Sequence, residues 1–249
     1  MTVVEEQSQP ALTPEEIHLF RHNGYLKLGT LSPDLVERLK ESIWHDIRNE
    51  VEPVVRNKEG NVVRISDLVD RDPIFLESAS GPQVLDPLEC LMGPNIELIK
   101  NRHNHATLRT ASEKYDGLHR DIKQWTRTIF TVLFYLEETT VENGCTHFVP
   151  GSHHFPGVTG KIGDDPWTHA VANQAVPLPV PAGTFIVIDS MVMHRAGNNT
   201  TDNTRISMTV GYHSVDELID VPNPKRILVR GEGLYSGNDR SQRQRGGRQ

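Results

Sequence analysis

The sequence predicts a mainly β fold, a jelly roll (double-stranded β-helix, cupin-like) with a helical layer at its amino-terminal end. Helix signals are confined to the first hundred residues, and from Gly93 onward short runs of β-type residues alternate with turn residues. No helix pattern separates these runs. Parallel strands need long crossover connections, so closely spaced strands predict antiparallel pairing in a sandwich or barrel.

Three helices are predicted in the amino-terminal part, each with a proline in its first turn, where the missing N–H has no cost. The first also has a capping box, in which Thr13 and Glu16 satisfy each other's backbone N–H groups. The second has apolar residues at four-residue spacing from Leu35 to Ile47, as expected for a half-buried helix. The predicted helices begin at Pro14, Pro33 and Pro82 and end at Gly24, beyond Ile47 and near Met92.

The sequence predicts a single domain over residues 1–235. Its helical part is expected at about 13–93 and its jelly roll at about 95–215. Residues 236–249 contain no large apolar side chain and predict a disordered tail. The strands are expected at 96–108, 128–136, 146–149, 175–180, 184–189 and 205–213.

Composition excludes several classes of partner. The 249 residues include 26 Lys plus Arg and 33 Asp plus Glu, a net charge of -7 that disfavours nucleic acid and anionic lipid. No apolar run is long enough to span a bilayer, and the start carries Glu5 and Glu6 where a signal peptide would be basic. Two cysteines cannot form a disulfide framework. We therefore expect a cytoplasmic protein whose partner is a small-molecule substrate.

A candidate metal site begins at His119-Arg120-Asp121. In extended chain, residues two apart point to the same side, so His119 and Asp121 can bind one metal ion from adjacent positions. His194 follows the apolar run 184–189 and is placed at a strand end, where it can supply a second imidazole. The pattern predicts a two-histidine, one-carboxylate centre.

Arg205 adds a candidate anion site to this centre. It opens a β-rich run shortly after His194, so a turn and a return strand can bring its guanidinium back beside the metal ligands. A guanidinium can hold a carboxylate through two hydrogen bonds, as a dicarboxylate co-substrate would require. Ser207 lies two residues further on and can add a hydroxyl on the same face.

With these residues in place, the sequence resembles the phytanoyl-CoA dioxygenase family of Fe(II)- and 2-oxoglutarate-dependent oxygenases. The resemblance extends from Phe20 to Tyr212. Its most specific motifs are Leu118 to Asp121, Glu142 to Cys145, Val149 to His153, and His194 to Arg205.

The resemblance implies that Fe(II) is held by His119, Asp121 and His194. It implies that O2 and 2-oxoglutarate are consumed to give succinate, CO2 and an oxidised small metabolite, in a biosynthetic role. The groups expected at the distal 2-oxoglutarate carboxylate are Arg205, with Thr131, Ser207 and Arg109 as further contacts.

Candidate substrate-pocket residues precede and follow the metal motif. Strand alternation would place Asn101, His103 and His105 on the face that carries Arg109, and Trp125 follows Asp121 closely enough to line the same pocket. The segments Val54 to Asp72 and Gly157 to Asn173 are expected to form a lid that selects the substrate.

Alternative functions remain open on the sequence alone. A cupin-type metal-dependent isomerase or a non-catalytic metal-binding barrel would share the fold, and His194 with Asn198 matches the end of a cupin motif. Cupins, however, begin with His-x-His and have no use for Arg205. Among oxygenase outcomes, Asp121 disfavours halogenation, whereas hydroxylation, desaturation, cyclisation and epimerisation are all compatible with the predicted ligands.

Overall fold

A computed structural model describes residues 11–111, 117–122, 129–155, 166–215 and 224–233. The helices in these ranges are α1 (Pro14–Asn23), α2 (Pro33–Arg48), α3 (Pro73–Ser80), α4 (Pro82–Met92) and α5 (Pro166–Ala172). The strands are β1 (Tyr25–Thr30), β2 (Val54–Arg56), β3 (Val62–Ser66), β4 (Ile96–Ile99), β5 (His105–Arg109), β6 (Ile129–Tyr135), β7 (Thr146–Phe148), β8 (Val176–Leu178), β9 (Thr184–Asp189), β10 (His194–Ala196), β11 (Arg205–Ser214) and β12 (Arg226–Arg230).

Two antiparallel sheets form the predicted jelly roll. The large sheet has the order β1-β9-β6-β11-β5-β3-β2, and β4 pairs with both β11 and β12. The small sheet has the order β10-β7-β8. A hydrogen bond of 2.7 Å from the Tyr135 hydroxyl on β6 to Thr146 Oγ1 on β7 joins the two sheets. The fold class predicted from the sequence is confirmed.

The large sheet has one apolar face and one polar face because side chains alternate along each strand. On β11, Ile206 and Met208 belong to the main core, together with Leu39 of α2. Arg205 and Ser207 point the other way and line a cavity between the sheets. The helices thus cover one face of the sheet, which leaves the opposite face for chemistry.

The predicted helices are present as α1, α2 and α4, and the capping box joins Thr13 Oγ1 and Glu16 through both of its hydrogen bonds. The expected helical part at 13–93 is wrong in one respect, because it also contains α3 and the strands β1, β2 and β3. β1 pairs with the distant β9 and β3 with the distant β5, and the short runs of these strands show little alternation. The single-domain boundary at residue 235 stays a prediction.

The single strand expected at 96–108 is also wrong, because the chain forms two strands there. β4 pairs with the carboxyl-terminal half of β11 and β5 with its amino-terminal half, so a turn at 100–104 separates them. His103 in this turn has a left-handed backbone with φ of 52°. The short β10 and the distant β12 were not predicted, whereas the other five predicted strands are present with ends shifted by at most two residues.

The segment 54–72, expected to be part of a lid, is built into the large sheet as β2 and β3, followed by a short 3-10 helix. The buried Arg71 guanidinium fixes it in place. Its Nη1 pairs with Asp46 Oδ2 at 2.9 Å and also donates to the Val51 carbonyl. Nη2 donates to the Pro53 carbonyl and Nε to the Ser66 carbonyl. The wall that β3 contributes to the cavity is therefore rigidly positioned.

Several predictions lie outside the described residues: Trp125, most of the second lid segment and the tail at 236–249. The described end of that lid segment forms α5. No helix within the described ranges is both long and apolar enough to cross a membrane.

Candidate active site

The three predicted metal ligands meet because two short segments run antiparallel. His119 and His194 exchange backbone hydrogen bonds of 2.9 and 3.0 Å, and Asp121 N donates to the Ser190 carbonyl at 2.9 Å. The pairing of β10 with β7 fixes the His194 side of this arrangement within the small sheet. The backbone thus presents both imidazoles and the carboxylate to one point.

The side chains form a compact donor set. One ligand atom from each of His119, Asp121 and His194 lies within 4.8 Å of the others. His194 Nδ1 is 3.0 Å from the Val192 carbonyl, which favours a proton on Nδ1 and leaves Nε2 available for a metal. Two imidazoles and one carboxylate on one side of an ion form the donor set of non-haem Fe(II) oxygenases, so the residues present fit Fe(II).

The electrostatics keep the ligands in the protonation states that a metal requires. Burial raises the pKa of Asp121, but His194, His103 and the other neighbouring groups outweigh it and hold that pKa below its usual value. Desolvation and the adjacent His194 lower the pKa of His119 to about 4. At neutral pH, Asp121 is an anion and His119 is neutral.

A cavity of about 350 Å³ between the two sheets contains this donor set. Its remaining walls are polar and mostly basic. The described lining residues are Arg64, His103, His105, Thr107, Arg109, His119, Arg120, Asp121, Leu133, Tyr135, Thr146, His194, Ala196, Arg205, Ser207 and Thr209.

A larger cavity of about 910 Å³ lies between α2 and the loops that follow β6 and precede β11. It contains none of the three metal ligands, and its described lining includes acidic side chains such as Glu37 and Glu137. Size therefore does not identify the site, and we assign the chemistry to the smaller cavity because the donor set lies there.

Arg205 is the most unusual residue of the smaller cavity. It is only 3% exposed, yet among the described residues its Nε and Nη1 have no hydrogen-bond partner. Its guanidinium carbon lies 6.0 Å from the centre of the Tyr135 ring. A buried cation without a hydrogen-bonding anion is costly, so this geometry is suited to an anionic ligand.

Arg109 lies directly opposite Arg205 in the register of β5 and β11. Two like charges at directly opposed positions are unfavourable unless an anion lies between them. The placement of Arg205 differs from the expectation in one way: β11 belongs to the large sheet and does not pair with the strand that carries His194. The two residues instead line the same cavity from strands of different sheets.

Thr131 does not lie where the sequence reasoning placed it. Its buried hydroxyl donates to Asp121 Oδ2 at 3.0 Å and is also 3.0 Å from Ser190 Oγ. On β6 it lies four residues from Tyr135, or about 13 Å along a strand, and Tyr135 is the residue that contacts Arg205. Thr131 therefore supports a metal ligand and is too far away to help bind the distal carboxylate beside Arg205.

We expect Thr131→Val to weaken Fe(II) binding about tenfold, because hydrogen-bond partners of metal ligands are typically worth 10- to 100-fold in affinity. At saturating Fe(II), the affinity for 2-oxoglutarate should be unchanged. Equilibrium dialysis under anaerobic conditions measures both. Ser190→Ala is the matched control, because it keeps the Thr131 to Asp121 bond and should change Fe(II) affinity less. An increase in the dissociation constant of 2-oxoglutarate alone would contradict this assignment.

Of the pocket residues predicted on the strand at 96–108, two lie in the cavity and one does not. His103 and His105 line the cavity, and His103 Nε2 is 3.6 Å from Asp121 Oδ2. Asn101 is exposed in the turn after β4 and is absent from the lining, so its predicted place on the pocket face is wrong. The reason is the break between β4 and β5, which interrupts the alternation. Gly211 permits the break, because a side chain there would meet the Arg102 carbonyl at 3.1 Å.

The cavity residues that sequence reasoning missed include four on the strands of the large sheet: Arg64, Thr107, Tyr135 and Thr209. Each lies on a strand that alternates between the apolar core and the cavity, and each is aligned in register with another cavity residue. The alternation was visible in the sequence for β5 and β11. The sequence does not show which strands lie next to one another, because Arg64 pairs with Thr107 across a large sequence separation.

The sequence model of the phytanoyl-CoA dioxygenase family matches residues 20–207 of this chain. The peroxisomal phytanoyl-CoA dioxygenase of Homo sapiens is 24% identical over 257 residues, covering 89% of this chain and 74% of the human protein.

Two solved structures share the fold. EctD from S. alaskensis with bound Fe has a TM-score of 0.74 at 19% identity, covering 92% of this chain and 90% of EctD. The epimerase SnoN in complex with Fe3+, alpha ketoglutarate and nogalamycin RO has a TM-score of 0.67 at 24% identity, covering 92% of this chain and 99% of SnoN. The family match covers most of the chain and includes the described donor set, and we conclude that this protein belongs to the phytanoyl-CoA dioxygenase family of Fe(II)- and 2-oxoglutarate-dependent oxygenases, which use O2 as co-substrate.

Proposed function

We propose that the protein hydroxylates a small metabolite, in a biosynthetic pathway, at the expense of 2-oxoglutarate and O2. The observation that carries this proposal is the buried Arg205 guanidinium, without a hydrogen-bond partner at Nε and Nη1 among the described residues, in the same cavity as His119, Asp121 and His194. A metal donor set alone would serve many reactions. A donor set that shares its cavity with an arginine ready for a carboxylate is suited to a bidentate 2-oxo acid.

Each residue then has a defined task. His119, Asp121 and His194 would hold Fe(II), which when bound supplies the redox chemistry that O2 requires, and would leave three positions for other ligands. Arg205, with Arg109 opposite and the Ser207 hydroxyl two residues along β11, would bind the distal carboxylate of 2-oxoglutarate. Thr131 orients Asp121. In the overall reaction, one oxygen atom of O2 enters succinate, the other enters the substrate, and the 2-oxoglutarate carboxyl group leaves as CO2.

The alternative, a cupin-type isomerase or a non-catalytic metal-binding barrel, gives Arg205 no role. Desaturation, cyclisation and epimerisation use the same ligands and differ only in the fate of the substrate after a hydrogen atom has been removed, so they are alternative outcomes of the same proposal. SnoN, named an epimerase from nogalamycin biosynthesis, is an example of such an outcome on a similar fold.

A turnover screen tests the proposal. Protein with Fe(II), 2-oxoglutarate and O2 is incubated with a library of small metabolites, and succinate and product masses are measured. We expect one class of compound to stimulate succinate formation in step with a product that has gained one oxygen atom. High chloride should yield no halogenated product, because Asp121 occupies the position that a halide would need. The Asp121→Ala variant is the negative control, and conversion of a compound without 2-oxoglutarate would favour the isomerase instead.

A further inference from the structure

The cavity is strongly basic although the protein is acidic. Among its described lining residues, Asp121 is the only carboxylate, whereas Arg64, Arg109 and Arg205 all contribute guanidinium groups. Arg120 also lines the cavity, but its Nη2 donates to the backbone carbonyls of a neighbouring turn. The whole chain has a net charge of -7, so this local excess of positive charge is a property of the site.

Fe(II) and 2-oxoglutarate do not account for all of this charge. With the proposed function as the premise, the charges of Fe(II), Asp121 and Arg205 together balance the two negative charges of 2-oxoglutarate. The Arg64 guanidinium adds a further positive charge. Arg109 can share the distal carboxylate with Arg205, because the two are directly opposed. Among the described residues, no carboxylate pairs with Arg64 in the loaded site.

Arg64 occupies a separate place on the cavity wall. It lies on β3 directly opposite Thr107 of β5, and Arg109 is diagonal to it two residues further along β5. Side chains in such diagonal positions are about 7–8 Å apart at the backbone. The Arg64 side chain is exposed, and no described residue forms a hydrogen bond or ion pair with its guanidinium. Its field extends into the site: after burial, His103 and the Arg64 guanidinium are the next causes that lower the pKa of His105 to about 3.

The strand that carries Arg64 is fixed in place. Arg71 binds the carbonyls of Pro53 and Ser66 at the open end of the hairpin formed by β2 and β3, and Ile65 is fully buried in the main core. An arginine on a rigid strand, facing a cavity and lacking an acidic partner among the described residues, is placed to recognise a ligand.

We infer that the substrate carries an anionic group, a carboxylate or a phosphate, which binds to Arg64 beside Thr107 and His105. This inference rests on the proposed function and adds the chemical class of the substrate. The reactive carbon would then lie between this anchor and the metal ligands. The ring of His105 lies 6.0 Å from that of His103, and His103 in turn approaches Asp121, so these two side chains form the wall that leads from the anchor to the metal site.

The test uses protein loaded anaerobically with Fe(II) and saturating 2-oxoglutarate, so that Arg205 is already occupied. Phenyl phosphate, benzoate and the neutral benzamide are titrated by calorimetry at low and moderate salt. We expect at least one of the two anions to bind about tenfold more tightly than benzamide, with weaker binding at the higher salt. The two anions distinguish a phosphate from a carboxylate substrate.

Arg64→Gln should reduce the affinity for the preferred anion about tenfold, with 2-oxoglutarate binding unchanged. Arg56→Gln is the matched control, because Arg56 is an arginine of the adjacent β2 that contacts Glu50 and the Gly60 carbonyl and does not line the cavity. Equal binding of all three probes, no anion binding, or equal effects of the two variants would overturn the inference. In each of these results the protein still binds Fe(II) and 2-oxoglutarate, whereas failure to load them would overturn the proposed function itself.

Discussion

Replacing any one of His119, Asp121 or His194 with alanine is expected to abolish 2-oxoglutarate turnover and to weaken Fe(II) binding at least about 100-fold. Even hydrogen-bond partners of ligands are worth 10- to 100-fold, and a ligand contributes more than its partner. One ligand atom from each of the three side chains lies within 4.8 Å of the others, so each substitution removes one member of a compact donor set. Anaerobic equilibrium dialysis gives the Fe(II) affinity, and succinate release gives the turnover.

The fold should survive these substitutions. The two histidines are held in part by backbone hydrogen bonds between their own peptide groups, which alanine retains. Far-ultraviolet circular dichroism and thermal unfolding should therefore match the native protein. His147→Ala is the control, because His147 lies on β7 beside the strand that carries His194, with Nδ1 3.1 Å from the Cys145 carbonyl. The metal assignment would be refuted if an alanine variant of His119, Asp121 or His194 still bound one Fe(II) per chain and still converted 2-oxoglutarate to succinate.

Arg205→Ala is expected to weaken 2-oxoglutarate binding about 10- to 150-fold, which corresponds to roughly 1.5 to 3 kcal/mol for a charge-assisted hydrogen-bonded pair. Burial strengthens the effect, because Arg205 has little water to compete with its ligand. Arg205→Lys should recover only part of the affinity, since lysine restores the charge without the planar fork of donors. Calorimetric titration of the Fe(II)-loaded protein under anaerobic conditions measures the dissociation constants.

A matched control separates this effect from general loss of charge. Arg195 lies on β10, next to His194 and opposite His147 in the small sheet, and it does not line the cavity. Arg195→Ala should leave the 2-oxoglutarate affinity within about twofold of the native value, since substitutions away from a site typically change free energies by less than about 0.5 kcal/mol. If Arg205→Ala behaved like Arg195→Ala, the carboxylate would have to bind elsewhere in the cavity.

The residues that the sequence could identify are those whose roles depend on local spacing. His119 and Asp121 are two apart, and the capping box of α1 needs only Thr13 and Glu16. The turn-rich β runs predicted antiparallel sheets, and His194 and Arg205 were identified as candidate ligands of the metal and of a carboxylate. All four site residues lie in the cavity. Their order along the chain, in a pattern resembling one family, was sufficient to identify them.

Only the tertiary structure decided which side chains face one another. Strand alternation indicates which residues of one strand share a face, but the register between strands depends on pairing over long sequence distances. Thr131 was therefore assigned to the distal carboxylate although it hydrogen-bonds Asp121, and Asn101 was placed in the pocket although a turn carries it out. For the same reason the sequence does not predict Arg64 as a cavity residue, because Arg64 lies beside Thr107 only when β3 pairs with β5.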